Sequence, residues 1–404
     1  MLPNLKRSMT APALLLCALI VIGGVTLSSS ALGSGDPDSS SQKDEKKSKK
    51  SRKPKKSSKS SSDDIEMKDV PADEKLEKKL IAELPESMRE GFKVKRTLHY
   101  SILYDTSEED VAVFGHAIER TYRSCVRFCQ KLDIDVHQPE EKMVSYFFNE
   151  FKDYSSFGGK VQGGSELSPN LLGFYMPDTN FTYFYNFRNT PAFKSARDQA
   201  ESELARLGEQ ARSTKDSTQR RNLARQMDRA RFVINRSKSF GGGVTEETLQ
   251  HEVAHQVLFN IGFHNKKNPG ANPRWFAEGM AQLFEPVSTD KGGNMGIVNK
   301  DKAEAFQNLV QIDRLYPLKD FIKDIRPFVS GNVGGISYPQ SWGLAHYITR
   351  TKRKELRKFV QIILKRSKSY KSSPEDEIAT FEECFGKIDR KWERRWKSWM
   401  KNVR

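Results

Sequence analysis

His251 and His255 stand four positions apart with Glu252 directly after the first, a spacing of residue types that suits metal chemistry. With seven histidines in 404 residues, an accidental His-Glu-x-x-His is expected in roughly 0.01 chains of this composition, so the match calls for a structural context. On an α-helix the two imidazoles lie one turn apart on one face and can share one ion. Glu252 is rotated about 100° away, where it reaches a water activated by the ion and not the ion itself.

A catalytic zinc site needs a third protein ligand and one open position. Ten positions after His251, where a metzincin would carry another histidine, stands Ile261, which excludes that branch; His264 is near but off the pattern. The candidate third ligand is Glu278, in Asn-Pro-Arg-Trp-Phe-Ala-Glu-Gly. Glu285 follows it by seven positions on the same helix face and is the rival. Two carboxylates roughly 10 Å apart along a helix axis cannot both reach one ion.

Two helices must position these groups. Leu249, Val253, Val257, Leu258 and Ile261 recur at three- and four-residue spacing, which predicts the apolar stripe of an amphipathic helix. Gly241, Gly242 and Gly243 end the preceding element, and Glu246 and Glu247 place negative charge in the first turn. For the second helix, Asn272 reads as the N-cap and Pro273 as the first helical residue, with Glu278 in the second turn.

The run from Trp275 through Glu278 and Gly279 to Ala281 resembles the Trp-Leu-Asn-Glu-Gly-Phe-Ala segment of gluzincin (peptidase MA-like) metallopeptidases. The resemblance implies Zn2+ held by His251, His255 and Glu278, with Glu252 as general base. It also implies an α+β, zincin-like fold: an N-terminal α/β lobe, an active-site helix and a mainly helical C-terminal lobe. Ala277 and Met280 depart from the pattern, the spacing from His255 to Glu278 is longer than in the aminopeptidase branch, and a Gly-x-Met-Glu-Asn segment is missing. Aminopeptidase activity is therefore not implied. A closer resemblance, over residues 94 to 404, is to bacterial secreted proteins with a gluzincin-like domain of unknown function. They share the strand-helix opening, Pro-Arg-Trp-x-x-Glu-Gly and a later Tyr-x-Gln-x-Trp, here Tyr338, Gln340 and Trp342. Gluzincins often use a tyrosine to stabilise the oxyanion; the resemblance puts Tyr338 in that role, an ordinary core aromatic being the alternative.

Hydrophobic content of 36% and a net charge of +16 indicate that part of the chain does not fold. Lys6 and Arg7, the apolar run from Ala11 to Leu27 and the small residues Ser28 to Ala31 have the order of an export signal, residues 1–31. The expected location is secreted, periplasmic or cell-envelope; the alternative is an uncleaved membrane anchor through residues 11–27. Leu16 before Cys17 speaks against a lipoprotein. Residues 32–69 read as a disordered basic Ser/Lys-rich linker: Gln42 to Ser62 holds ten Lys/Arg against two Asp/Glu. It is either a solvated spacer or an attachment to a polyanionic surface, with no specific nucleic acid implied.

Residues 70–404 are the folded region. Val94 to Tyr104 reads as one strand, Val111 to Leu132 as a helix, and Met-Val-Ser-Tyr-Phe-Phe-Asn and Phe-Thr-Tyr-Phe-Tyr-Asn-Phe as further strands, giving an α/β lobe over 94–188. Residues 190–240 read as an insertion of two charged helices turning near Ser213 to Ser217, a lid or a surface feature. Helices dominate after Ala303. Trp392, Trp396 and Trp399 mark either an interfacial membrane helix or a packing face. Cys125, Cys129 and Cys384 read as buried free thiols, and His99, His116, His137, His264 and His346 as structural.

Three functions compete. The first is a zinc metallopeptidase acting on proteins or peptides, in which Glu252 takes a proton from the attacking water. The second is a non-catalytic surface module, against which Glu252 argues, since a structural zinc site has no use for a base. The third is polyanion attachment through residues 42–62.

Overall fold

In a computed structural model of the protein, which describes residues 68–403 except 165, 170, 239–243, 287–296, 324–325 and 329–334, the aromatic runs of the N-terminal half form one mixed sheet. Its strands are β1 (Lys93–Arg96), β2 (Tyr100–Tyr104), β3 (Met143–Phe148), β4 (Gly173–Met176) and β5 (Phe181–Tyr185), in the order β1-β2-β3-β5-β4. β2, β3 and β5 run parallel, and the outer strands β1 and β4 are antiparallel to their neighbours. The expected export signal and nearly all of the basic linker, with its polyanion-binding segment 42–62, lie outside the described residues, as does Gly241 to Gly243. Among the described residues no helix is long and apolar enough to cross a membrane.

The period-two alternation of the strands separates two packing layers. Val144, Tyr146, Phe148, Tyr183 and Tyr185 join Leu80, Leu84 and Tyr154, from or just beyond α1 (Glu74–Ala82) and α4 (Phe151–Val161), in one core. On the opposite face Phe147 stacks on Phe114 of α3 (Glu108–Lys131) at 4.3 Å, and Thr182 meets Ser145 and Gln256 at 2.9 and 3.4 Å. The aromatic strands are thus core and not a binding platform.

The single strand expected over Val94 to Tyr104 is a hairpin, β1 turning into β2. The reason is Glu119 of α3, which accepts hydrogen bonds from Thr97 Oγ1 (2.6 Å) and the His99 backbone N–H (2.7 Å) and pairs with His99 Nδ1 (2.8 Å). These bonds take the backbone out of the ladder at the turn. β4 and α4, too short or too polar to carry a periodic signal, were not anticipated. In the charged stretch, two helices, α5 (Pro191–Ser213), capped by Thr190, and α6 (Ser217–Lys238), bury Leu207, Leu223 and Ala230.

Beyond the short α2 (Glu86–Arg89), the remaining helices are α7 (Val244–Asn260), α8 (Arg274–Gln282), α9 (Lys300–Gln311), α10 (Leu318–Lys323), α11 (Ser337–Thr351), α12 (Arg353–Lys365), α13 (Pro374–Phe385) and α14 (Arg390–Met400). The protein is therefore a mixed α+β structure whose C-terminal part is mostly helical. Trp392 and Trp396 are buried, their indole N–H groups donating to the carbonyls of Phe385 and Gly343, so the tryptophans of α14 are a packing face. Cys125, Cys129 and Cys384 are buried and unpaired.

Candidate metal centre

α7 departs from the expected amphipathic helix. Every residue from Thr248 to Ile261 is buried, because α7 lies between the sheet edge, α3 and α8. A helix buried all round must satisfy its polar side chains internally. Gln256 Nε2 donates to the carbonyls of Val144 (2.9 Å) and Asn180 (2.7 Å), and Asn260 Nδ2 donates to Asn180 Oδ1 (2.8 Å). Arg120 of α3 pairs with Glu246 at the start of the helix. His251 and His255 face Glu278 of α8, and Glu252 faces the edge strand β4. Gly262, at φ +83°, ends the element in the left-handed conformation that follows many helices.

α8 starts one residue later than expected. Pro273 is its N-cap, and Asn272 instead ties the preceding loop, accepting from the Asn265 N–H at 2.9 Å and donating to the Pro269 carbonyl at 2.9 Å. Glu278 remains in the second turn and is fully buried. Gly279 permits the next layer to approach: a Cβ there would lie 2.5 Å from the Ser341 carbonyl and 2.9 Å from Ala345 Cβ. That contact brings α11, and with it Tyr338, against α8.

The result is convergence. His251 Nε2 lies 3.1 Å from His255 Nε2 and 3.3 Å from Glu278 Oε2, and His255 Nε2 lies 3.7 Å from the same oxygen. Ligand atoms at tetrahedral positions about 2.0–2.1 Å from a zinc ion are separated by about 3.3–3.4 Å, so the three atoms have the spacing such an ion requires. Neither Glu278 oxygen accepts a well-directed hydrogen bond, which is unusual for a buried carboxylate. Borderline nitrogen donors with one carboxylate suit zinc or a similar divalent ion. These three residues can hold a metal ion.

Glu252 is placed differently. Its Oε2 accepts the backbone N–H of Tyr175, on edge strand β4, at 2.9 Å, and its buried Oε1 has no hydrogen-bond partner. Burial pushes the carboxyl up to about 8, with His251 opposing and Glu278 reinforcing the shift. For His251 burial disfavours the proton, but the carboxylates of Glu278 and Glu285 outweigh it and raise the imidazole to about 10. Burial likewise holds His255 below its ordinary value, Glu278 opposing. Glu278 itself stays well below the carboxylate range; burial works against this, and Arg274 and both imidazoles overcome it.

Residues 246–369 match the family model DUF1570, described as a protein of unknown function. The matched segment runs from the first turn of α7 past the end of α12, so it contains His251, Glu252, His255, Glu278 and Tyr338. No curated protein and no solved structure matches the chain.

Within the matched segment, the rival carboxylate Glu285 sits on the far side of His251, its Oε1 3.0 Å from Nδ1. Asn299 Nδ2 (3.1 Å) and Lys302 Nζ (3.5 Å) hold its other oxygen. Tyr338 is buried with its ring 6.4 Å from that of His251, and Lys302 Nζ lies 5.6 Å from the Tyr338 ring centre. Gln340 is structural, bonding both the N–H and the carbonyl of Tyr316 at 2.9 Å. His264 is not part of the cluster; it packs among Phe259, Phe263 and Phe276. Sequence reasoning passed over Arg274, Tyr175, Asn299 and Lys302. Arg274 had a readable signal, its spacing of four from Glu278. Tyr175 acts through its backbone, which no residue type announces.

Proposed function

We propose that the protein is a zinc-dependent peptidase with a zincin-like, gluzincin-type site. The observation that carries this reading is Glu252: a fully buried carboxylate beside three converged ligands, one oxygen anchored and the other without a partner. A structural metal site has no need of such a group.

Zinc held by His251, His255 and Glu278 would supply Lewis acidity, polarising a peptide carbonyl and easing ionisation of water near neutral pH. The protein's own part is proton handling and orientation. Tyr175 N–H fixes Glu252 Oε2, so Oε1 accepts the proton from the attacking water and delivers it to the departing amine as the C–N bond breaks. The hydroxyl of Tyr338 is assigned to the carbonyl oxygen as negative charge develops on it. With zinc bound, Glu285 would hold the His251 proton on Nδ1 and leave Nε2 free as a ligand. The raised pKa of Glu252 belongs to the metal-free site; a nearby dication favours the carboxylate form that a base requires.

The proposed setting is outside the cytoplasm, secreted or at the cell envelope, with residues 42–62 addressing a polyanionic surface and proteins or peptides as substrate. The test is metal analysis of the purified full-length chain together with hydrolysis of a quenched fluorescent peptide library. One zinc per chain and cleavage lost to a chelator and restored by zinc is the expected result. Zinc without cleavage of any peptide would leave a binding module; absence of zinc would sink the metal reading as well.

A further inference from the structure

We infer that Arg274 is a built-in counter-ion for Glu278 that lets the metal site fold empty, and that it competes with the metal for the same carboxylate. The inference rests on the reading that zinc binds at His251, His255 and Glu278, and deepens it.

A carboxylate as buried as Glu278 is strongly destabilising unless a positive charge or several hydrogen bonds compensate it. Hydrogen bonds do not: neither oxygen accepts a well-directed one. His251 is shared with a second carboxylate, Glu285, whereas Arg274, one helical turn earlier on α8, brings a permanent positive charge to Glu278: its Nε lies 3.0 Å from Glu278 Oε1, and its side chain is only 10% exposed. The two oxygens therefore have separate tasks. Oε1 faces the guanidinium, while Oε2 faces His251 and His255 at 3.3 and 3.7 Å. The division follows from position: Arg274 stands four residues before Glu278 on α8, while His251 and His255 approach from α7. Glu285, directly behind His251, repeats the scheme with Lys302 as its cation.

Two consequences follow from Coulomb's law. Without metal, the guanidinium leaves Glu278 paired, so the ligands are assembled before any ion arrives; this is unlike small metal sites whose folding depends on the ion. With metal, the same guanidinium stands one carboxylate away from a dication and weakens its binding.

The test is thermal unfolding of the full-length protein, each variant measured in chelator and in saturating zinc, with zinc affinity from competition against a chromogenic chelator. Arg274→Met should lose several degrees more in chelator than in zinc and should bind zinc roughly tenfold or more tightly, the repulsion having gone. Arg274→Lys should stay close to the wild type. Arg274→Met with Glu278→Gln removes both charges and should regain metal-free stability over Arg274→Met alone. An equal loss with and without zinc, or a double variant no better than the single, would overturn the inference and leave Arg274 a packing residue. If Arg274→Met folds only when zinc is supplied, the inference is supported. A wild type indifferent to zinc would refute the zinc reading and the competition; single against double variant in chelator would still decide whether Arg274 is the counter-ion.

Discussion

His251 is gripped from behind by Glu285, with Nδ1 and Oε1 3.0 Å apart, so the ring is locked with Nε2 toward Glu278 and His255. A carboxylate in that place orients a ligand and raises its basicity without touching the metal. Glu285→Gln should therefore keep one zinc per chain but weaken its affinity by about 10- to 100-fold. Titration against a competing chelator reads this directly. Complete loss of zinc in Glu285→Gln with retention in Glu278→Ala would exchange the two roles.

Glu252→Gln isolates the proton transfer. Zinc stoichiometry should be unchanged, since the side chain is not among the converged atoms, while hydrolysis falls by about 10² to 10⁴. His251→Ala, His255→Ala and Glu278→Ala should each strip zinc instead. Undiminished turnover in Glu252→Gln would remove the general base from the scheme.

Asn180 holds the β4–β5 turn at φ +62°, and its side chain and carbonyl bond Asn260 and Gln256 of α7. This link sets where the Tyr175 N–H meets Glu252. Asn180→Gly keeps the backbone conformation but drops the side-chain bonds, at about 1–2 kcal/mol of stability. Peptide hydrolysis should fall several-fold with zinc affinity intact. Equal falls in both would mean that α7 as a whole has shifted.

Gly279→Ala tests the α8–α11 approach. A methyl 2.5 Å from the Ser341 carbonyl forces the helices apart, costing about 1–3 kcal/mol and moving Tyr338 from the ligands. Denaturant unfolding and kcat measured together should both decline. A variant as stable and active as the wild type would show that α11 has room to yield.

Acid stability has a defined sign. Burial lowers His264 to about 3 and His346 to about 4, Arg350 adding to the latter, whereas both titrate near 6.5 in an unfolded chain. Below that value the unfolded chain binds protons that the folded protein refuses, so stability is complete above about pH 6.5 and falls as pH drops toward 4. The double variant His264→Phe, His346→Phe, compared with wild type in chelator, should flatten the dependence of Tm on pH over this window. An unaltered slope would assign the acid sensitivity to other groups.

The residues of the cluster were legible because their placement is local. His251, Glu252 and His255 belong to one helical turn, and the 3.6-residue period alone places their side chains. Glu278 was legible as a type in a plausible helix, and the charged hairpin α5–α6 through its caps and composition. The rest depended on long-range packing. Whether Glu278 or Glu285 joins the histidines was decided by how α8 crosses α7 and by Asn299 and Lys302 drawing Glu285 to the far side of His251. Burial of α7 on every side masks its periodicity, since polar residues satisfied internally look in sequence like a solvent face. The anchoring of Glu252 was out of reach altogether. It is made by the Tyr175 backbone N–H on an unheralded edge strand, and a backbone donor carries no residue identity for a sequence to display; only the folded sheet edge brings it within 2.9 Å of the carboxylate.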